Sequence, residues 1–123
     1  MNPLNYATLE ASKRLLYAGI VLWETDYYWY HNNFYDTYEL VDVIHHYCDK
    51  KDYTPALSMA EAWRGLLSIL KVGGLWYELR LTKIDDISYA GYWWSTVCLI
   101  KFQSPNPTDA LIDLLIWVRS QKP

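Results

Sequence analysis

Five consecutive residues, His45-His46-Tyr47-Cys48-Asp49, are the densest group of metal-type donors in the chain. Zinc takes imidazole nitrogen and thiolate sulfur, and on an extended backbone His46 and Cys48 would share a face, with His45 and Tyr47 on the other. Two ligands do not close a site, so a third and fourth would have to come from His31, Asp36 or Cys98. A strand end with polar residues half in solvent accounts for the same letters. A metal-dependent enzyme around His46 and Cys48 is therefore the least favoured of three functional readings, and no cofactor is expected.

Other chemistry is thinly supplied. Asp26, Asp36, Glu39, Asp42 and the pair Asp85-Asp86 offer carboxylates, but acid-base work needs two of them at a defined separation in contrasting environments. Asp85-Asp86 lies between two apolar alternating runs, where Asp bonds its own backbone in turns. Asp26 lies within an aromatic strand, where burial would raise its pKa. There is no Gly-x-Ser-x-Gly elbow, and Gly73-Gly74 lacks the Lys-Ser/Thr of a phosphate-binding loop. No catalytic residue is expected.

What the chain has in excess is rings: 12 Tyr, 7 Trp and 2 Phe in 123 residues. Tyr27-Tyr28-Trp29-Tyr30 places them at successive positions, and a strand alternates its side chains between two faces. Tyr27 and Trp29 then point one way and Tyr28 and Tyr30 the other, so neither face is an ordinary solvated one. Either helices cover both faces or aromatic surface is left for a partner, which is where interfaces concentrate Tyr and Trp. Tyr28, Tyr30, Trp93 and Trp94 are the expected interaction residues.

The elements that would position these rings follow from periodicity and punctuation. Residues 7 to 18 read as a helix capped by Thr8, with Gly19 as its left-handed stop. Residues 20 to 30 read as a strand, and 38 to 44 as its hairpin partner across His31-Asn32-Asn33. Ser58-Met59-Ala60-Glu61 is a capping box, and Met59, Trp63, Leu66, Leu67 and Leu70 extend its helix over 59 to 70. Gly65 inside that helix points to a close backbone approach. Residues 75 to 84 alternate as a half-buried strand, with 92 to 102 as its partner. Asn106 and Pro107 then open a last helix.

The predicted order is α-ββ-α-ββ-α. It describes a single α+β domain over residues 1–123, with a four-stranded, largely antiparallel sheet packed with three helices. Leu15, Leu66, Leu67, Leu79, Leu81, Leu111, Leu114 and Leu115 are its expected core. On one sheet, Trp23, the 27–30 run, Trp76, Tyr77, Tyr92, Trp93 and Trp94 would cluster.

Several blocks carry a resemblance. Ala11-Ser12-Lys13-Arg14-Leu15 with Ala18-Gly19-Ile20, then Glu24-Thr25-Asp26-Tyr27-Tyr28-Trp29, resembles the opening of a group of small uncharacterised tailed-phage and prophage proteins. Leu40-Val41-Asp42, the 55–63 segment, and Pro107-Thr108-Asp109-Ala110-Leu111 with Leu114-Leu115-Ile116-Trp117 are similar to its later blocks. The 45–48 segment departs from that pattern. The resemblance implies a mobile element in a bacterial cytoplasm and transfers no activity.

Composition bounds the partners. Net charge is −3, and adjacent basic residues occur only at Lys13-Arg14 and Lys50-Lys51. Duplex binding needs clustered cations, so nucleic acid is disfavoured as a partner. No apolar run approaches the roughly 20 residues that span a bilayer, and the first residues lack a basic region leading into an apolar one. With two cysteines fifty apart, free thiols in the cytoplasm are expected. The favoured reading is a non-enzymatic interaction module whose aromatic sheet surface binds a protein or itself, a homodimer being one form. The alternative is a single-stranded nucleic-acid or nucleotide binder that stacks bases on its rings.

Overall fold

Thr8 ends its extended backbone by accepting a 3.2 Å hydrogen bond from the Ala11 amide, and helix α1 (Leu9–Tyr17) starts there. It stops at Gly19, whose φ of 82° lets the Gly19 and Ile20 amides turn back onto the Leu16 and Leu15 carbonyls. The computed structural model describes residues 5–20, 25–42 and 52–121. After α1 come β1 (Tyr27–Asn32), β2 (Thr37–Val41) and β3 (Tyr53–Ala56), then helix α2 (Met59–Arg64). Strands β4 (Ile69–Val72), β5 (Leu75–Ile84), β6 (Ile87–Trp94) and β7 (Val97–Ser104) lead to helix α3 (Pro107–Ser120).

The class is α+β, as expected, but the strands form two sheets in place of one. A three-stranded antiparallel sheet has the order β2-β1-β3, and a four-stranded one the order β4-β5-β6-β7. The expected clustering of the 27–30 run with Trp76, Tyr77, Tyr92, Trp93 and Trp94 on one sheet is therefore overturned: Tyr28 and Tyr30 belong to the first sheet, Trp93 and Trp94 to the second. Trp23 lies outside the described residues.

The first hairpin forms, with β1 beginning at Tyr27 and not at residue 20. The expected strand residues 21–24 and 43–44 lie outside the described residues. Three other elements differ from the sequence reading, each for a local reason. The capping box forms as expected, Ser58 Oγ accepting from the Glu61 amide and Glu61 Oε1 from the Ser58 amide. The helix ends at Gly65, however, because the following residues pair with β5 as the strand β4. Gly73 and Gly74, both at positive φ, supply the two-residue turn that closes that hairpin. Leu67 lies 58% exposed in the connection, outside the core expected for it, while Leu70 packs at the core's edge. The close approach expected at Gly65 is also absent. A Cβ there would sit 3.5 Å from the Leu115 side chain, an ordinary contact.

The expected strand 92–102 is two strands. Asp85 and Asp86, both at positive φ, turn the chain at once into β6, and Ser95 at φ 55° turns it again into β7. Strand β3 is the third difference. It carries Pro55, which is tolerated on an edge strand, and β3 lies at the edge beside β1.

The core lies between the four-stranded sheet and α3. Leu111, Ile112, Leu114 and Leu115 of α3 are fully buried with Tyr92 and Ala90 of β6, joined by Tyr77 and Leu79 of β5. Ala11 and Leu15 of α1, with Ala62 and Leu66, close the far side of α3. Leu81 packs at the margin. Tyr92 is sealed in by donating its hydroxyl to the Leu67 carbonyl at 2.8 Å. One helix layer therefore covers one face of this sheet.

Candidate functional site: the open face of the four-stranded sheet

Alternation along β5 assigns its two faces. Tyr77 and Leu79 enter the core, so Trp76, Glu78, Arg80, Thr82 and Ile84 point the opposite way. Cross-strand partners share a face, and the register extends this one across the sheet. Lys71 stands opposite Trp76 from β4; Tyr89, Gly91 and Trp93 stand opposite Thr82, Arg80 and Glu78 from β6. Lys101 and Gln103 of β7 pair with Gly91 and Tyr89. Among the described residues no helix lies over this face.

Gly91 sets its shape. A Cβ at this position would come 2.2 Å from the Ile100 carbonyl oxygen and 2.9 Å from the Trp93 ring. Without a side chain there, the Trp93 indole folds over the floor between Arg80 and Lys101. Arg80, Thr82, Ile84, Tyr89, Trp93 and Lys101 line a shallow cavity of about 400 Å³. Each cation is held near a ring or a carbonyl. Lys101 Nζ lies 5.4 Å from the Tyr89 ring centre and Lys71 Nζ 5.1 Å from that of Trp76. Arg80 donates to the Ser95 carbonyl at 3.0 Å and lies 3.6 Å from Glu78. Trp76 is 59% exposed.

Lys71, Arg80 and Lys101 thus share the face with Glu78 alone among carboxylates of the described strands. The chain's negative total hides this local excess of positive charge. The outward position of Arg80 is legible from the 75–84 alternation. That of Lys101 is not, because the Ser95 turn and the register shift between Tyr92 and Trp93 decide which way β7 faces.

The residues expected to form the surface are dispersed. Trp93 lies on the open face, half-buried. Trp94 is its neighbour in the strand, points to the opposite side beyond the core and is exposed. Tyr28 and Tyr30 are half-buried in the small sheet, with ring centres 6.5 and 4.9 Å from that of the buried Tyr53. On the other side of β1, the Trp29 indole N–H donates to the Ala7 carbonyl at 2.9 Å, and Tyr27 meets Tyr6 edge-on.

His45, His46 and Cys48 lie outside the described residues. Among those described, no three His, Cys, Asp or Glu side chains converge as a metal site. His31 Nε2 sits 2.9 Å from Asp36 Oδ1 and its ring stacks on Tyr38, whereas Cys98 is a free thiol on the other sheet. Asp26 is exposed just ahead of β1, not buried among its rings.

One buried carboxylate is not among the candidates the sequence offers. Asp109, in the first turn of α3, accepts from the Thr8 amide at 2.8 Å and from the Thr8 hydroxyl at 2.7 Å. Burial pushes its pKa up, against the Thr8 hydrogen bonds and the Arg14 charge, which pull it down. Its partners are the α1 cap and the start of α3, so its work is to join two helix ends. The signal was its place three residues after the cap residue Asn106.

No protein-family model, curated protein or solved structure matches this chain. No helix among the described residues is long and apolar enough to cross a membrane.

Proposed function

We propose that this chain is a non-enzymatic interaction module that engages a protein partner through the open face of its four-stranded sheet. The resemblance to small phage and prophage proteins supports a setting in a bacterial cytoplasm. The observation that carries the reading is the one-sided packing. With α3 over one face, the other presents Trp76, Tyr89 and Trp93 among Lys71, Arg80 and Lys101. Rings beside arginine are the residue types that anchor protein interfaces. Rims of lysine would then favour acidic partners and speed encounter at low salt.

Selection of random peptides on the immobilised chain tests it. A convergent set that binds the wild type and not the Trp76→Ser/Lys101→Glu variant is the expected result. Peptides that bind both equally, or no enrichment, would overturn the reading.

The same cations favour a second reading, single-stranded nucleic acid stacked on Trp76 and Trp93 with its phosphates on Lys71, Arg80 and Lys101. Titration with labelled oligonucleotides at low salt separates the two. Binding that falls steeply with salt and is lost in the same variant would assign the face to nucleic acid.

A further inference from the structure

The β1–β2 hairpin carries surface of the opposite character. From Thr25 to Asp42 the chain has Asp26, Asp36, Glu39 and Asp42 and no lysine or arginine. At the tip, Phe34 and Tyr35 are 85% and 70% exposed, their rings edge-to-face at 4.8 Å. Two adjacent rings held in water at a loop tip are a feature that folding alone does not call for.

The tip is also built to a fixed shape. The Asn32 side-chain oxygen accepts from the Phe34 amide at 3.0 Å and the Tyr35 amide at 3.3 Å. Asp36 takes a left-handed φ of 52° and is held at 2.9 Å by His31, whose ring stacks on Tyr38. The rings and the Asp36 carboxylate are thus presented together, with little ordering left to do on binding.

We infer that the Phe34-Tyr35-Asp36 tip of one copy docks into the Arg80–Lys101 cavity of a second copy. The inference rests on the reading of the open face as a protein-binding surface and names its occupant. Cavity and tip match in kind. Tyr89, Trp93 and Ile84 offer apolar walls for the two rings, and Arg80 and Lys101 offer charge to Asp36 and Glu39. Every copy carries both halves of the contact. A pair can close it twice about a two-fold axis, or copies can repeat it head to tail. The charge match makes association weaken as salt rises.

Light scattering and sedimentation of the purified chain over a concentration series, at low and high salt, test this with two variants. Phe34→Ser/Tyr35→Ser removes the tip, and Arg80→Glu/Lys101→Glu reverses the cavity; thermal melting checks that each folds, with Lys101→Glu alone as the milder face variant. Wild type is expected to associate at low salt. Each variant alone should associate at least about tenfold more weakly, as loss of an interface anchor does. An equimolar mixture of the two should restore a complex of one copy of each, because one intact tip meets one intact cavity. Three results would overturn the inference: a wild type that stays monomeric throughout, a tip variant that associates like wild type, or a mixture that stays monomeric. A monomeric wild type that still selects face-dependent peptides would remove the second copy as occupant and leave the proposed function standing. An oligonucleotide that occupies the cavity and is displaced by salt would give the face to nucleic acid instead.

Discussion

The two sheets are stabilised in different ways. The four-stranded sheet shares the main core with α3, through Tyr77, Leu79, Ala90 and Tyr92. The three-stranded sheet contributes no residue to that cluster among those described. Its buried members, Tyr53, Pro55 and Ala56, all lie on β3, which packs beside α1, and every position of β1 is half-buried. It meets the body along α1, which packs against β3, and through Tyr27 edge-on to Tyr6 and Lys13 over the Tyr38 ring. Hydrogen bonds from Trp29 to the Ala7 carbonyl and from the Thr25 hydroxyl to Glu61 at 2.9 Å add to this. One sheet is a platform with a spare face. The other is a three-stranded sheet beside α1, and its excess of rings closes a local cluster around Tyr53. A run of rings in the sequence therefore does not by itself mark exposed surface; it can close a local cluster, while Trp76 stands uncovered on the other sheet.

The largest effect should come from the platform's support. Leu114→Ala removes a fully buried side chain of α3 and is expected to cost about 2–5 kcal/mol in denaturant unfolding. An unchanged midpoint would mean that α3 does not hold this sheet. Next, Gly91→Ala sets a methyl against the Ile100 carbonyl and the Trp93 ring, and should cost about 1–3 kcal/mol. Gly65→Ala is the matched control. Its Cβ meets only ordinary contacts and its φ is −74°, so a small gain of about 0.4–1 kcal/mol is expected.

A pH-dependent effect belongs to the joint between α1 and α3. Asp109 has a pKa above its ordinary 3.8 in the fold, so the folded chain binds this proton more tightly than the unfolded one. As pH falls from neutrality towards 3.8, this group alone adds stability; as pH rises through its folded pKa, that contribution is lost. Wild type should therefore gain on Asp109→Asn as pH falls. Melting both across that range checks it, and parallel curves would refute the burial of the charge. The smallest stability effect is expected at the hairpin. Phe34→Ser/Tyr35→Ser should move unfolding by no more than about 0.5 kcal/mol, since both rings stand in solvent. A larger loss would mean that the tip packs on the body.

What the sequence made legible follows the same division. In the platform, the strand Leu75–Ile84 and the turns at Gly73-Gly74 and Asp85-Asp86 were readable, because strict alternation and left-handed-tolerant residues act locally. The caps at Thr8, Ser58 and Asn106 were readable for the same reason. Strand β4 was not, since Leu66, Leu67 and Leu70 fit a helix as well, and only pairing with β5 decides between the two. Ser95 gave no warning of its turn, as serine rarely adopts positive φ. Of the site, Arg80 could be placed outward from the alternation, and Trp93 stands out by its ring. The same alternation places Trp76 with Arg80, but Lys71 and Lys101 could not be joined to them, because the cross-strand register that brings them together is a property of the folded sheet.

The central claim is that the open face of the four-stranded sheet binds a partner, and lysine acetylation footprinting tests it most directly. Lys71 and Lys101 stand on that face; Lys83, whose β5 position alternates with Arg80 and Thr82, does not. The chain would be labelled alone and with a peptide obtained by selection. The account predicts reduced labelling at Lys71 and Lys101 with Lys83 unchanged. Protection of Lys83 or Lys13 with Lys71 and Lys101 still fully reactive would contradict it.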